Sequence, residues 1–143
     1  MNRERGGNRA KGIESIEGIG PRTGATLRKA GVATVEKLLD IACAKRGRSR
    51  LAATTGINEK KLLRCVNMAD LFRINGVASQ YAELLEAAGV DTVKELRNRN
   101  AENLAARMAE VNAAKKLVRT TPSSKTVAKW VAQAKGLQPM VTH

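Results

Sequence analysis

Residues 16–24, with the sequence IEGIGPRTG, have the composition of a tight turn that opens into a helix and could hold an anion. Gly18 and Gly20 can adopt conformations that other residues avoid, or let another backbone come close. A proline follows where a helix is expected to begin. The N–H groups of Gly20, Arg22 and Thr23 would then lack partners at the positive end of the helix dipole. Such an end favours phosphate, and Arg22 adds a full charge.

Two further groups of cations would extend a phosphate site. Arg28 and Lys29 follow on the helix that the turn opens into. Four more cations surround Gly47, and cations clustered about a glycine predict a basic loop. A solvated loop that binds nothing is the alternative interpretation of this cluster. Its members are Lys45, Arg46, Arg48 and Arg50.

The sequence contains no set of residues that predicts catalysis. His143 is the only histidine, so no Ser/His or Cys/His pair is available except through the last residue. No acidic cluster suits a two-metal site, and no phosphate-loop or dinucleotide fingerprint is present. Cys43 and Cys65 are isolated, which is typical of buried thiols in a reducing compartment. We therefore predict no enzymatic activity, no cofactor and no metal.

Composition indicates a helical protein with a polyanionic partner. Of 143 residues, 43% are hydrophobic but only 2% are aromatic, and an excess of Ala, Leu and Val suits packed helices. The net charge of +13 favours nucleic acid, an anionic membrane surface or an acidic protein as the partner. No apolar run approaches the roughly 20 residues that span a membrane, and the N-terminus does not resemble a secretion signal. We therefore predict no membrane partner.

The turn and its cations are expected to lie among short helices. Gly31 should end the helix that follows the turn as a left-handed cap, and Thr34 should begin the next helix. A short helix is expected over residues 49–55. Asn58 should begin a longer helix with an apolar face. Trp130 lies beside the apolar stripe of a later helix, which favours a place in the core over stacking on a base.

The turn and the helices after it occur twice. Residues 74–78 match residues 16–20 at an offset of 58, and the match continues through the next two helices. In the second copy Ala78 replaces the second glycine, and Gln80 replaces the arginine. Acidic residues follow it where the first copy has none. We expect the second turn to be structural, or a weak secondary contact.

The spacing of glycines and apolar residues around Gly18 and Gly20 resembles the helix-hairpin-helix motif. In that family two short helices are joined by a Gly-hydrophobic-Gly hairpin. The resemblance implies binding to the backbone of a DNA duplex, without reading its sequence, through hairpin amides and a neighbouring cation. Residues 13–137 also resemble a bacterial family of tandem helix-hairpin-helix proteins, most of them described only as a domain of unknown function.

These observations predict an all-α fold in which two helix-hairpin-helix-containing repeats pack into one compact domain. We expect a flexible basic arm at residues 1–12, the first repeat at 13–73, a degenerate second repeat at 74–137 and a tail at 138–143. The predicted nucleic-acid contacts are Gly18, Ile19, Gly20, Arg22, Thr23, Arg28, Lys29, Lys45, Arg46, Arg48 and Arg50.

The function predicted from these features is non-enzymatic, sequence-independent binding of nucleic acid, with DNA favoured over RNA, in the bacterial cytoplasm or nucleoid. The alternative is a protein-interaction or assembly adaptor. In that case the hairpins would only pack, and the basic surface would meet an acidic protein or a structural RNA. The oligomeric state is left open by the sequence.

Overall fold

The computed structural model describes residues 11–143, and all the secondary-structure elements that it forms over this range are helices. It contains a short 3-10 helix, Ile13–Ser15, eight α-helices and no strand. The all-α prediction is therefore confirmed. The predicted basic arm, apart from its last two residues, lies outside the described residues. The α-helices are α1 (Pro21–Lys29), α2 (Val35–Ala42), α3 (Lys45–Thr55), α4 (Glu59–Leu71), α5 (Ser79–Ala87), α6 (Val93–Leu96), α7 (Ala101–Lys115) and α8 (Ser124–Lys135).

Local signals begin and end α1, α2 and α4 where the sequence predicts. Gly31 has φ +88° after α1, and the Val32 N–H returns to the Leu27 carbonyl at 2.8 Å. This pair of features ends a helix and satisfies one of its last carbonyls. The Thr34 hydroxyl accepts the Lys37 N–H at 3.1 Å and caps α2. Asn58 caps α4 in the same way. These boundaries were predicted and are confirmed.

The helices pack around one continuous core of mainly aliphatic side chains. Helix α2 packs against α3 and α4, α5 against α4 and α7, and both α6 and α7 against α8. Trp130 is 3% exposed, so its predicted place in the core is confirmed. None of the helices within residues 11–143 has both the length and the apolar character to cross a membrane. The largest fully buried side chains are Phe72, Ile13, Ile16, Leu27, Leu38, Leu62, Met68, Leu71, Ile74, Leu84, Leu85 and Leu96.

The basic cluster around Gly47 is helical, which corrects the predicted loop. Helix α3 begins at Lys45, four residues before the helix expected over 49–55. The glycine is there for contact rather than for a turn, because a Cβ at Gly47 would collide with the Ile41 carbonyl oxygen. The absence of a side chain lets the first turn of α3 lie directly against the end of α2.

Replacing Gly47 with alanine is expected to lower the free energy of unfolding by about 2 kcal/mol, since the overlap involves backbone that cannot move freely. Alanine's better helix propensity, about 1 kcal/mol, offsets only part of this cost. Urea unfolding provides the measurement. Gly20→Ala is the control, because no atom lies within 4 Å of a Cβ at that position, and it should lose only the fraction of a kcal/mol, about 0.5, by which alanine is worse than glycine at an N-cap. Equal stability of the two variants would contradict the packing role of Gly47.

Both ends of the described chain are tied to the first helices. The Val35 N–H donates to the Lys11 carbonyl and the Ile13 N–H to the Ala33 carbonyl, each at 3.0 Å. Lys11, which was predicted to belong to the arm, is thus paired with the folded body. Near the other end, the Thr142 N–H donates to the Cys43 carbonyl at 2.9 Å. The residues predicted as a tail therefore pack across the corner between α2 and α3.

Candidate nucleic-acid interface

The first hairpin has the turn geometry that the sequence predicts at one of its two glycines. Gly18 has φ +96°, in the region that favours glycine, and the Ile19 N–H closes the turn onto the Ile16 carbonyl at 3.1 Å. Gly20 has φ −87°, which any residue adopts, and it precedes α1 as its N-cap. Ile19 is 5% exposed, so only its backbone is available to a ligand.

The start of α1 presents unpaired backbone donors. The first hydrogen bond of the helix joins the Gly24 N–H to the Gly20 carbonyl at 2.8 Å, and no side chain caps the helix. Within residues 11–143 the N–H groups of Gly20, Arg22 and Thr23 have no acceptor. The side chain of Arg22 is exposed and is also without a partner there. Free donors at the positive end of a helix form a surface that attracts an anion.

Arg28 is engaged elsewhere, which departs from its predicted role as a flanking phosphate contact. Its guanidinium donates to Glu14 through Nε at 3.0 Å and Nη2 at 2.6 Å. The hydrogen bond from Arg28 lowers the pKa of the Glu14 carboxyl. The carboxylate lies across Gly24, where a Cβ would overlap it. Arg28 also lies about 9 Å farther along the axis of α1 than Arg22, and so farther from the free N–H groups at its start. It neutralises an acid near the hairpin instead of adding a free charge, whereas Lys29 is exposed and unpaired.

Arg64 is a cation beside the hairpin that sequence reasoning did not place there. Its Nη1 lies 3.3 Å from the position that a Cβ on Gly18 would occupy. The same guanidinium pairs with Glu86 of α5, with Nε to Oε2 at 2.9 Å and Nη2 to Oε1 at 3.0 Å. This hydrogen bond with Glu86 raises the pKa of Arg64. No sequence signal shows that α4 passes next to the hairpin, because the two are brought together only by packing.

Acidic groups also lie near this side of the first hairpin. Burial raises the pKa of the Glu83 carboxyl, and the negative charge of Glu17 raises it further. Glu17 belongs to the hairpin itself, so α5 brings a second acid close to it. The first hairpin therefore carries charges of both signs, and its unpaired positive charge is concentrated in Arg22.

The cations of α3 form a second positive surface, from which one predicted member is missing. Lys45, Arg46 and Arg50 are exposed and have no acidic partner within the described chain. The helix dipole makes the start of a helix positive, and Lys45 and Arg46 add their charges there. This end of α3 therefore has a strongly positive potential. Arg48 is 3% exposed and donates to the carbonyls of Ala42, Cys43 and Thr142. The structure does not support Arg48 as a phosphate contact.

The second hairpin has a similar backbone, and side chains of α8 lie against its turn. Gly76 has φ +93°, and Trp130 places its Nε1 3.3 Å from the position of a Cβ there. The Asn75 N–H donates to Gln133 Oε1 at 2.9 Å. Tyr81 packs against Trp130 with ring centroids 5.5 Å apart. The turn of this hairpin thus contacts side chains of α8, although Asn75 and Gly76 are exposed.

One comparison relates this chain to other proteins. A family model described as "Domain of unknown function (DUF4332)" matches residues 17–137, a range that contains both hairpins. No curated protein and no solved structure matches the chain. Among residues 11–143, no group of three or more His, Cys, Asp or Glu side chains could hold a metal ion.

Proposed function

The chain belongs to the DUF4332 family, a domain of unknown function, and we propose that it binds nucleic acid, with DNA favoured over RNA, without reading sequence and without catalysis. The observation that carries the proposal is the open start of α1. Three backbone N–H groups there have no acceptor in the described chain, and the unpaired guanidinium of Arg22 stands among them. This combination matches the charge and hydrogen-bonding needs of a backbone phosphate.

The distribution of ion pairs supports a diffuse electrostatic mode of binding. Within residues 11–143 every salt bridge uses an arginine, and every lysine is without an acidic partner. Unpaired lysines spread over a surface contact phosphates but carry no information about bases. Binding driven by such contacts releases counterions and weakens steeply with salt. The site residues of the proposal are Gly18, Gly20, Arg22, Thr23, Lys29, Lys45, Arg46 and Arg50.

The proposal also treats the chain as two repeats, residues 13–73 and 74–137, of which only the first binds. Equivalent backbone features support the repeats. Gly31 and Gly89 both have positive φ, and the bond from Val32 to Leu27 has its counterpart from Val90 to Leu85, each at 2.8 Å. Gln80, which stands where the first hairpin has Arg22, and the bond from Asn75 to Gln133 of α8 support the division of roles. Such a protein would act in the bacterial cytoplasm or nucleoid.

Two substitutions that each lower the net charge by one unit test the site. Arg22→Gln removes the cation of the first hairpin, and Gln80→Glu adds an acid at the matching position of the second. Arg22→Gln is expected to weaken binding to a random DNA duplex about tenfold and to reduce the salt slope by about one. Gln80→Glu should change affinity less than about twofold. Fluorescence anisotropy over a salt series measures both, and circular dichroism verifies folding.

Two results would contradict the proposed function. The first is a duplex affinity that is the same at about 50 and 200 mM salt, because phosphate contacts cannot be indifferent to counterions. The second is an equal loss of affinity in the two variants, which would mean that net charge alone acts and that the open hairpin contributes nothing. The same titrations with RNA duplex and single strands test the preference for DNA.

A further inference from the structure

One large apolar side chain is left on the surface next to the cations of α3. Ile41 is 37% exposed and is the only large hydrophobic residue so exposed within residues 11–143. It lies at the edge of an open cleft of about 380 Å³, formed where the ends of α1 and α2 meet α3. This volume is in the range of sites that hold small ligands or side chains. The cleft is lined by Ala30, Ile41, Gly47, Arg50, Leu51 and Thr54.

The lining favours an aliphatic side chain over a nucleic-acid base. Bases bind to proteins chiefly by stacking on aromatic rings or guanidinium planes. The cleft has no aromatic residue and a single guanidinium, that of Arg50, whereas three of its six lining residues, Ala30, Ile41 and Leu51, are aliphatic. An aliphatic anchor entering here would cover the exposed part of Ile41 and gain the free energy of apolar burial.

The charge around the cleft favours acidic residues on either side of such an aliphatic anchor in the partner. Residues 41–58 contain three exposed cations, Lys45, Arg46 and Arg50, and no acid. Arg50 lines the cleft, and Lys29 and Arg46 are the chain neighbours of lining residues. Asp40, next to Ile41, is the one acid among these neighbours. The excess positive charge would attract carboxylates on either side of an apolar residue.

We propose that this cleft is a docking site for a short acidic segment of a partner protein that inserts one aliphatic side chain beside Ile41. The proposal is independent of nucleic-acid binding by the first hairpin, although the cations of α3 would serve both partners. The cleft would let the protein bind an acidic protein partner through an aliphatic side chain, a group that a DNA duplex does not have.

A synthetic peptide provides the test on the whole chain. The probe is a short fluorescein-labelled peptide in which glutamates and aspartates flank a single leucine, and its control has asparagine in place of the leucine. Ile41→Asn is expected to raise the Kd of the leucine peptide about tenfold, the value of losing one buried aliphatic contact. Thr54→Phe, which fills the cleft and leaves Ile41 in place, should weaken the same peptide similarly. Ala128→Asn, on an exposed part of α8, is the matched control and should have no effect.

Charge and specificity are tested in the same titrations. Arg50→Gln should weaken the peptide about threefold, whereas Arg119→Gln, far along the chain, should not. Duplex affinity should be unchanged in Ile41→Asn, which separates this proposal from the function of the hairpin. Equal affinity of the leucine and asparagine peptides would overturn the proposal, as would an unchanged Kd in both cleft variants. A parallel loss of single-stranded DNA binding in Ile41→Asn would assign the cleft to nucleic acid and would overturn it too.

Discussion

Replacing Arg48 with alanine is expected to lower the free energy of unfolding by about 3 kcal/mol. The guanidinium donates to Ala42 at 3.1 Å, to Cys43 at 2.8 Å and to Thr142, and the side chain is almost fully buried. Its removal would leave three carbonyls without this donor and a void at the corner of α2 and α3. Urea unfolding followed by circular dichroism measures the change.

Two variants separate the causes of this loss. Arg48→Met keeps most of the buried stem but none of the donors, so its loss should lie between those of the alanine variant and the wild type. Arg46→Ala removes an exposed cation two residues away and should change stability by less than about 0.5 kcal/mol. If Arg48→Ala were as stable as Arg46→Ala, the guanidinium would not be holding the corner.

Replacing Asp70 with alanine should have an effect of similar size, about 3 kcal/mol, because a buried charge pair would lose one member. The carboxylate is 1% exposed, accepts Arg73 Nη1 at 2.8 Å and accepts the Val93 N–H at 2.8 Å. It thus joins the end of α4 to the start of α6. Its loss would leave a partly buried guanidinium and the first N–H of α6 without this acceptor. Chemical unfolding is again the measurement.

The exposed acid Asp40 is the matched control for Asp70. Asp40→Ala should leave the free energy of unfolding within about 0.5 kcal/mol of wild type. Asp70→Asn retains one acceptor oxygen and should lose less than the alanine variant. An alanine variant at Asp70 that unfolds at the same urea concentration as Asp40→Ala would show that the link between α4 and α6 is dispensable.

The parts of the fold that the sequence predicts correctly are those encoded by neighbouring residues. Gly31 ends α1, and Thr34 caps α2 immediately before its first residue, so each signal lies within a turn of its effect. Gly47 misleads because glycine amid cations is typical of a loop. A glycine is needed at this position because packing brings a carbonyl of α2 against it, and no local pattern encodes that contact.

The candidate site follows the same rule. The free N–H groups at the start of α1 follow from the local sequence and were predicted, whereas the sequence left open which hairpin glycine has a positive φ. Which cations remain free could not be predicted, because Glu14 and Arg28 meet across 14 residues and Arg64 and Glu86 across 22. Such pairs depend on how α4 and α5 pack around the hairpin. The burial of Arg48 depends on a carbonyl 94 residues away.

The contact between Arg48 and Thr142 also bears on the order in which the chain folds. Residue 48 leaves the ribosome well before residue 142, so its guanidinium lacks one of its three acceptors while α4 to α8 are being made. Closing a loop of 94 residues has an entropic cost of about 4 kcal/mol, and contacts of this separation slow folding. The residues of the corner between α2 and α3 are close in sequence. We nevertheless expect this corner to be among the last parts of the protein to become rigid, because it needs Thr142.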